Sequence, residues 1–344
     1  MGIGRLIIIG IIFTIISYFT VFFIRYWSSK REFFDIPNER SLHNHPMPRG
    51  GGLVIVILTL FGIGLLFYGQ MVSIPIQQMM TYIVTGALIA LIGLLDDIFH
   101  LPSYYRLIFQ LVGAFIVIID IGWWNIIKIP FYGNINLGWS GLIITFLWIV
   151  GLTNAFNFMD GIDGMAAGQA VVAGIGWFII GNMISIPQIY IIGILVSSTS
   201  LGFLGHNWSP AKIFLGDVGS AFLGFTFAIL PLMISNKANT FMIGFLLVWP
   251  FVVDTFFTFV IRLINKENVF SPHRSHLYQK LVISGLSHKS VTAIYIFLSF
   301  MGLICSMIFL FGTPQLASIS MLTILFCCFL LFFYTHRRTR MLSE

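Results

Sequence analysis

Paired carboxylates, evenly spaced amides and a histidine-containing loop are the groups in this chain whose types and spacing could do chemistry. Asp96 and Asp97 stand together in LLDDIFH, where an apolar run ends. Neighbours on a helix lie about 100° apart, so at most one of the two faces a substrate directly. Interfacial anchoring is the plainer reading of that pair. NAFNFMDGIDG is the second constellation, with Asn154, Asn157, Asp160 and Asp163 recurring every third residue. Each such step drifts about 60° around a helix, so adjacent members share a face while the ends of the series diverge. Gly161 and Gly164 are expected to break the helix and let a ligand approach the backbone. Amide and carboxylate oxygens at this spacing suit Mg²⁺, a hard cation that keeps part of its water, with Mn²⁺ as a substitute. A polar helix terminus with capping side chains would use the same residues.

KIFLGDVGS places Asp217 between glycines, just before another apolar run. A carboxylate there either binds a metal on a tight turn or caps the helix expected to start near Ser220. Phe214, three residues earlier, offers an aromatic face to a nucleobase, or simply packs. SPHRSHLYQKL then supplies His273, Arg274, His276 and Lys280. Arginine grips phosphate with paired planar donors, and a solvated basic loop is the alternative. Zinc is disfavoured, since the loop has no cysteine and no helical HxxxH pair. FFDIPNERSLHNHPMPRGGGL is stiffened by Pro37, Pro46 and Pro48 and carries Arg40 and Arg49 for a phosphate substrate. Its glycines are not a Walker loop, because no GK[ST] follows. Asp254, one turn after Pro250 in VWPFVVDTFF, reads as a structural polar anchor.

The elements that must position these groups are set by composition. Hydrophobic residues make up 58% of the chain and charged residues 9%, far below the roughly 25% charged of a soluble domain. A bilayer core needs about 20 apolar residues per helix, and unpaired backbone cannot sit in hydrocarbon. An all-α polytopic membrane protein follows, one transmembrane domain over residues 1–344 with about eleven spans. They are read near Leu6–Tyr26, Gly52–Tyr68, Tyr82–Leu95, Leu107–Ile121, Gly138–Phe156, Met165–Asn182, Gln188–Leu204, Ser220–Ser235, Thr240–Ile264, Thr292–Gly312 and Gln315–Tyr334. The first is read as a retained helix, because no small-residue cleavage site follows it.

Charge orients the set. With the N-terminus outside and the C-terminus cytoplasmic, fifteen Lys and Arg residues face the cytoplasm, against Arg5, Lys128 and Lys237 outside. The basic pI is thus a topology signal and requires no nucleic acid. All eight histidines and every acid except Asp120 also fall on or near the cytoplasmic side. Ionisable groups at a membrane boundary are costly and usually functional. Five polar inner loops therefore converge on one cytoplasmic site. The outer segment Gly122–Leu137 reads as a turn or small hairpin. Cys305, Cys327 and Cys328 lie in late apolar spans and read as packing.

Taken together, these segments resemble the polyprenyl-phosphate N-acetylhexosamine-1-phosphate transferases, the MraY and WecA types of glycosyltransferase family 4. Five motifs coincide in order from about Phe34 to Lys289. The resemblance implies that Asp96 and Asp97 are the paired aspartates tied to the polyprenyl phosphate. It implies further that Arg106, where many members have Lys, contacts phosphate. By the same likeness Asn157 and Asp217 bind Mg²⁺, while Asp163 and Phe214 hold the uracil. Asn154 and Asp160 belong to the same substrate-binding segment. HRSH looks like the histidine-rich sugar and diphosphate loop but departs from both the WecA and MraY forms. It is closer to the branch that starts O-antigen and related glycans with N-acetylated deoxyhexosamines.

The reaction so implied joins UDP-N-acetylhexosamine and undecaprenyl phosphate, releasing UMP, at a bacterial inner membrane. Membrane lipid is a partner, and a homodimer is compatible with the sequence. A transporter or flippase of an anionic lipid or sugar phosphate is the rival. Such a carrier should present binding groups near the midplane, whereas here only Asp254 lies deep.

Overall fold

Twelve helices and two short hairpins make up the described part of the chain, each apolar run closing its own backbone hydrogen bonds as lipid demands. The computed structural model describes residues 2–31, 34–36, 45–69, 75–234, 239–268 and 273–340. Pro37 and Arg40 of the first loop, and Lys237, lie outside the described residues. In chain order the elements are α1 (Ile3–Lys30), β1 (Phe34–Asp35), β2 (Met47–Pro48), α2 (Gly51–Tyr68), α3 (Ile76–Phe99) and α4 (Ser103–Ile121). After them come β3 (Ile126–Ile129), β4 (Gly133–Asn136), α5 (Ser140–Phe158), α6 (Met165–Met183) and α7 (Pro187–Asn207). The last are α8 (Asp217–Ile229), a 3-10 turn (Leu230–Met233), α9 (Thr240–Ile264), α10 (Leu277–Ile283), α11 (His288–Phe311) and α12 (Pro314–Arg340).

Ten of the described helices are long and apolar enough to cross a membrane. The eighth expected span is the shorter α8, which starts at Asp217 rather than Ser220 and passes into the 3-10 turn. Pro231 lacks an N–H and cannot continue the α ladder, which shortens this element. All of α8 after Asp217 is buried, packed between α3 and α5 with α2 alongside. Gly93 of α3 makes that contact close: a Cβ there would stand 2.7 Å from the Asp217 carbonyl oxygen. On the other side α7 packs against α6, α1 and α2, and α11 joins α6 and α9 to α12. The outer helices α1 and α12 keep most of their apolar surface outward, as lipid-facing helices do.

The outer hairpin is present as the antiparallel pair β3–β4, with Trp123 stacked on Trp139 beside it. At the opposite end, β1 pairs with β2. Alternation of the helices brings the C-terminal ends of α3 and α5 and the N-terminal ends of α4 and α8 together there. The site is built at that end.

Candidate active site

Asp217 is held by parts of the chain remote from it in sequence. The FLGD loop is zipped to the start of α2: Phe214 N–H donates to the Pro48 carbonyl at 2.8 Å, and Gly51 and Gly52 N–H groups donate to Phe214 and Leu215 at 3.1 and 2.9 Å. Gly216 then turns with φ +79°, and a Cβ on it would meet Asp97 Oδ2 at 2.6 Å. Glycine is required there on both counts. Asp97, almost completely buried, accepts the Asp217 and Val218 N–H groups at 3.0 and 3.1 Å. Asp217 is therefore not the cap of α8 but the residue that a cap from α3 positions.

Two arginines neutralise the carboxylates around it. Arg106 Nη1 lies 3.0 Å from Asp96 and 2.5 Å from Asp217. Arg49 reaches Asp35 at 2.7 Å and Asp97 at 3.4 Å. Asn157 donates through Nδ2 to Asp217 Oδ1 at 2.9 Å and to Ser220 Oγ at 3.1 Å. With its nitrogen committed, the amide oxygen is the part of Asn157 left to bind a cation.

These groups border a cavity of about 180 Å³ whose lining includes Arg49, Asn157, Asp160, Asp163, Phe214 and Asp217. Among the described residues no group donates to the Asp160 carboxylate, while its backbone N–H reaches the Asn157 carbonyl at 3.4 Å. Desolvation pushes its pKa well above the ordinary carboxylate range, and the Asp217 and Asp97 charges add to this. Asp163 behaves oppositely. Desolvation works to raise its pKa, but hydrogen bonds from His288, Ala211 N–H and Ser209 outweigh it and hold the value below the usual range. His288 Nδ1 lies 3.4 Å from Oδ1 and Ala211 N–H donates to Oδ2 at 3.2 Å. The Thr292 hydroxyl donates to the Asp163 carbonyl at 2.7 Å.

Of the residues expected from sequence, Asn157, Asp160, Asp163, Phe214 and Asp217 meet in this cavity. Arg106 and Asn154 line a smaller adjoining space with Gln110. The Asn154 amide is taken up there by Gln110 Oε1 at 2.6 Å and the Val150 carbonyl at 2.8 Å. His273, Arg274 and His276 do not line the cavity. Arg274 is exposed. His276 is buried against the Phe158 ring, with Nδ1 3.1 Å from Asp254. Gly161 lines the cavity, but the direction its Cβ would take is filled by the Tyr278 hydroxyl and not by space for a ligand.

Sequence reading missed Asp35, Asn207 and His288, and it gave Arg49 only a general charge toward phosphate, without its pairing to Asp35 and Asp97. A histidine directly before an apolar run, in GLSHKS, was the one local signal for His288.

The donor set fits a hard divalent cation. Asp35, Asp96, Asp97, Asp160 and Asp217 outnumber Arg49 and Arg106, and Asp160 faces the cavity without a compensating donor. Among the described residues no three acidic, histidine or cysteine side chains converge into an all-protein cage. Mg²⁺ does not need one, because one or two carboxylates plus waters and substrate phosphates suffice.

A family model described as glycosyl transferase family 4 matches residues 79–235, which hold Asp96 through Asp217. A Bacillus subtilis (strain 168) protein named probable undecaprenyl-phosphate N-acetylglucosaminyl 1-phosphate transferase is 38% identical over 275 residues, 76% of this chain and 73% of the relative. Decaprenyl-phosphate N-acetylglucosaminephosphotransferase of Mycobacterium leprae (strain TN) is 29% identical over 83% of this chain and 79% of its own. Phospho-N-acetylmuramoyl-pentapeptide-transferase of Lacticaseibacillus paracasei is 28% identical over 69% and 77%. The identity to the Bacillus relative extends over most of both chains, and the matched segment carries the carboxylates gathered around Asp217, so this chain belongs to glycosyl transferase family 4.

Proposed function

We propose that this multi-pass bacterial membrane protein transfers N-acetylhexosamine-1-phosphate from a UDP-sugar to undecaprenyl phosphate, releasing UMP. The observation that carries the reading is the meeting of Asn157, Asp160, Asp163, Phe214 and Asp217 in one cavity at the basic end of the bundle. Chemically, an oxygen of the lipid phosphate attacks the sugar-linked phosphorus, and the bond to the UMP oxygen breaks.

Each side chain has a definable task. Phe214 offers a face for the uracil ring, and Asp163, kept ionised, accepts from its N–H. Asn157, Asp160 and Asp217 would hold Mg²⁺, which when bound neutralises charge on the diphosphate and polarises its oxygens. Arg49 and Arg106 supply further positive charge toward the phosphates. A phosphate monoester has a second pKa near 6, so a carboxylate base adds little proton affinity. Asp96 is read accordingly as the group that orients Arg106 and the lipid phosphate.

The names of two relatives carry N-acetylglucosamine, which makes UDP-N-acetylglucosamine the first donor to test beside deoxy analogues. The transporter reading gains nothing from Asp254, whose carboxylate is wholly buried and saturated by protein donors. The decisive experiment is product analysis of the purified protein with undecaprenyl phosphate, Mg²⁺ and a panel of UDP-sugars. Failure to release UMP and form a lipid-linked diphosphosugar from any donor would refute the proposal.

A further inference from the structure

Tyr278, the second residue of α10, is 1% exposed and does not line the cavity. Its hydroxyl donates to the Phe158 carbonyl at 2.9 Å. Phe158 is the last residue of α5, between Asn157 and Asp160 in sequence. The final carbonyls of a helix have no partner within the helix, and here a buried side chain from another element supplies one. The same hydroxyl fills the space beside Gly161. Tyr278 thus touches the chain on both sides of Asp160.

The tyrosine is itself fixed from below. Its N–H donates to Asp254 Oδ2 at 3.0 Å, and Leu277 N–H donates to Oδ1 at 2.9 Å. The Tyr295 hydroxyl donates to the same carboxylate at 2.5 Å, and His276 Nδ1 lies 3.1 Å from it. Asp254 is 0% exposed. A buried carboxylate saturated in this way resists movement, because displacing it would leave several buried polar groups unpaired. The strut therefore runs from the middle of α9, through the start of α10, to the end of α5.

We infer that Tyr278 is a positioning residue: anchored on Asp254, its hydroxyl sets where α5 ends and so the separation of Asn157 and Asp160. The inference rests on the proposal that these two side chains, with Asp217, hold a divalent cation. It explains why position 161 is glycine without invoking a ligand.

The test is Mn²⁺ binding, followed by electron paramagnetic resonance on the purified full-length protein without substrates. Tyr278→Phe removes only the hydroxyl and should weaken Mn²⁺ binding about 10-fold, the scale of losses when a ligand's supporting hydrogen bond is removed. Gly161→Ala should weaken it more. Gly161→Ala combined with Tyr278→Phe should recover part of that loss, because the nearest ring carbon would then lie 3.1 Å from the new Cβ. Tyr295→Phe takes a different hydroxyl from the same Asp254, which keeps the Leu277 and Tyr278 N–H donors, and should lower the melting temperature while weakening Mn²⁺ clearly less than Tyr278→Phe. Three results overturn the inference: Tyr278→Phe binding Mn²⁺ within about twofold of wild type, a double variant no better than Gly161→Ala, or Tyr295→Phe weakening Mn²⁺ as much as Tyr278→Phe. Wild-type affinity in Asp217→Asn would instead sink the metal reading, and the inference with it.

Discussion

The two carboxylate oxygens of Asp97 accept the backbone N–H groups of Asp217 and Val218, 3.0 and 3.1 Å away, while Asp96, one residue earlier, lies 3.0 Å from Arg106. One member of the pair therefore positions Asp217, and the other pairs with Arg106. Asp97→Ala should lower stability by at least the roughly 0.5–2 kcal/mol of a lost helix cap, and activity should fall with the folded fraction. Asp96→Asn should keep its melting temperature and lose turnover. Thermal melts and initial rates at matched expression separate the two. Equal, mild defects in both variants would contradict this division.

Asp217→Asn should remove turnover by about 100-fold or more, the scale for losing one electrostatic group at a reacting centre. The protein should stay folded, because the cap belongs to Asp97 and the amide still reaches Arg106 or Asn157. A Mg²⁺ titration is the check. Normal turnover at every Mg²⁺ concentration would reduce Asp217 to a structural role.

Much of the architecture was legible because lipid imposes one rule on every span: long apolar runs become helices, and basic residues collect at one end. The motifs themselves could be read where function needs a local pattern, as in the three-residue steps from Asn157 to Asp163. What sequence hid was who serves whom. For Asp217 a cap of its own helix stayed open beside metal binding, because nothing local says that α3 supplies the cap. Gly161 looked like a ligand contact, because the Tyr278 hydroxyl arrives from more than a hundred residues away. Asn154 fits the same spacing as Asn157, yet one helical turn carries it to Gln110. Arg49 and Asp35 meet only because β1 pairs with β2.

His288 is the partner that keeps Asp163 acidic. His288→Gln should raise KM for the UDP-sugar and leave KM for the lipid phosphate unchanged. The sign of the pH effect follows from a depressed pKa. In wild type the Asp163 contribution is complete above the ordinary carboxylate range, and it is lost only as pH falls through the lower folded value. Without His288 the folded pKa rises, so the acid limb of kcat/KM for the donor should move to higher pH. An unchanged acid limb together with an unchanged donor KM would remove His288 from the site.

Topology gives a test independent of chemistry. Asn134 lies in the exposed hairpin at the end opposite the cavity, and Lys212 lies in the loop beside it. With the three native cysteines replaced, Asn134→Cys should react with an impermeant thiol reagent added to intact cells. Lys212→Cys should react only after the cells are opened. The reverse pattern would place the active site outside and overturn the orientation drawn from charge.

The loop before α10 should divide its labour by burial. His276 is committed to Asp254 and packed on Phe158, so His276→Ala should cost stability before it alters selectivity. Arg274 is exposed. Arg274→Lys keeps the charge but loses the planar fork that grips phosphate, so it should lower kcat/KM for every UDP-sugar by a similar factor. His273 is half-buried with Nδ1 2.9 Å from Ser275 Oγ and stands as the proposed sugar contact. Losing a hydrogen bond to a bound hydroxyl costs about 1–3 kcal/mol, or roughly 10- to 100-fold. His273→Ala should therefore change the ratio of kcat/KM between a 6-deoxy donor and its 6-hydroxy counterpart, which Arg274→Lys should leave alone. Measuring both ratios on wild type and the two variants distinguishes sugar recognition from phosphate recognition. If neither variant moves a rate or a ratio by more than about twofold, the loop is a solvated basic face, and discrimination must come from the cavity wall around Asp160 and Asp163.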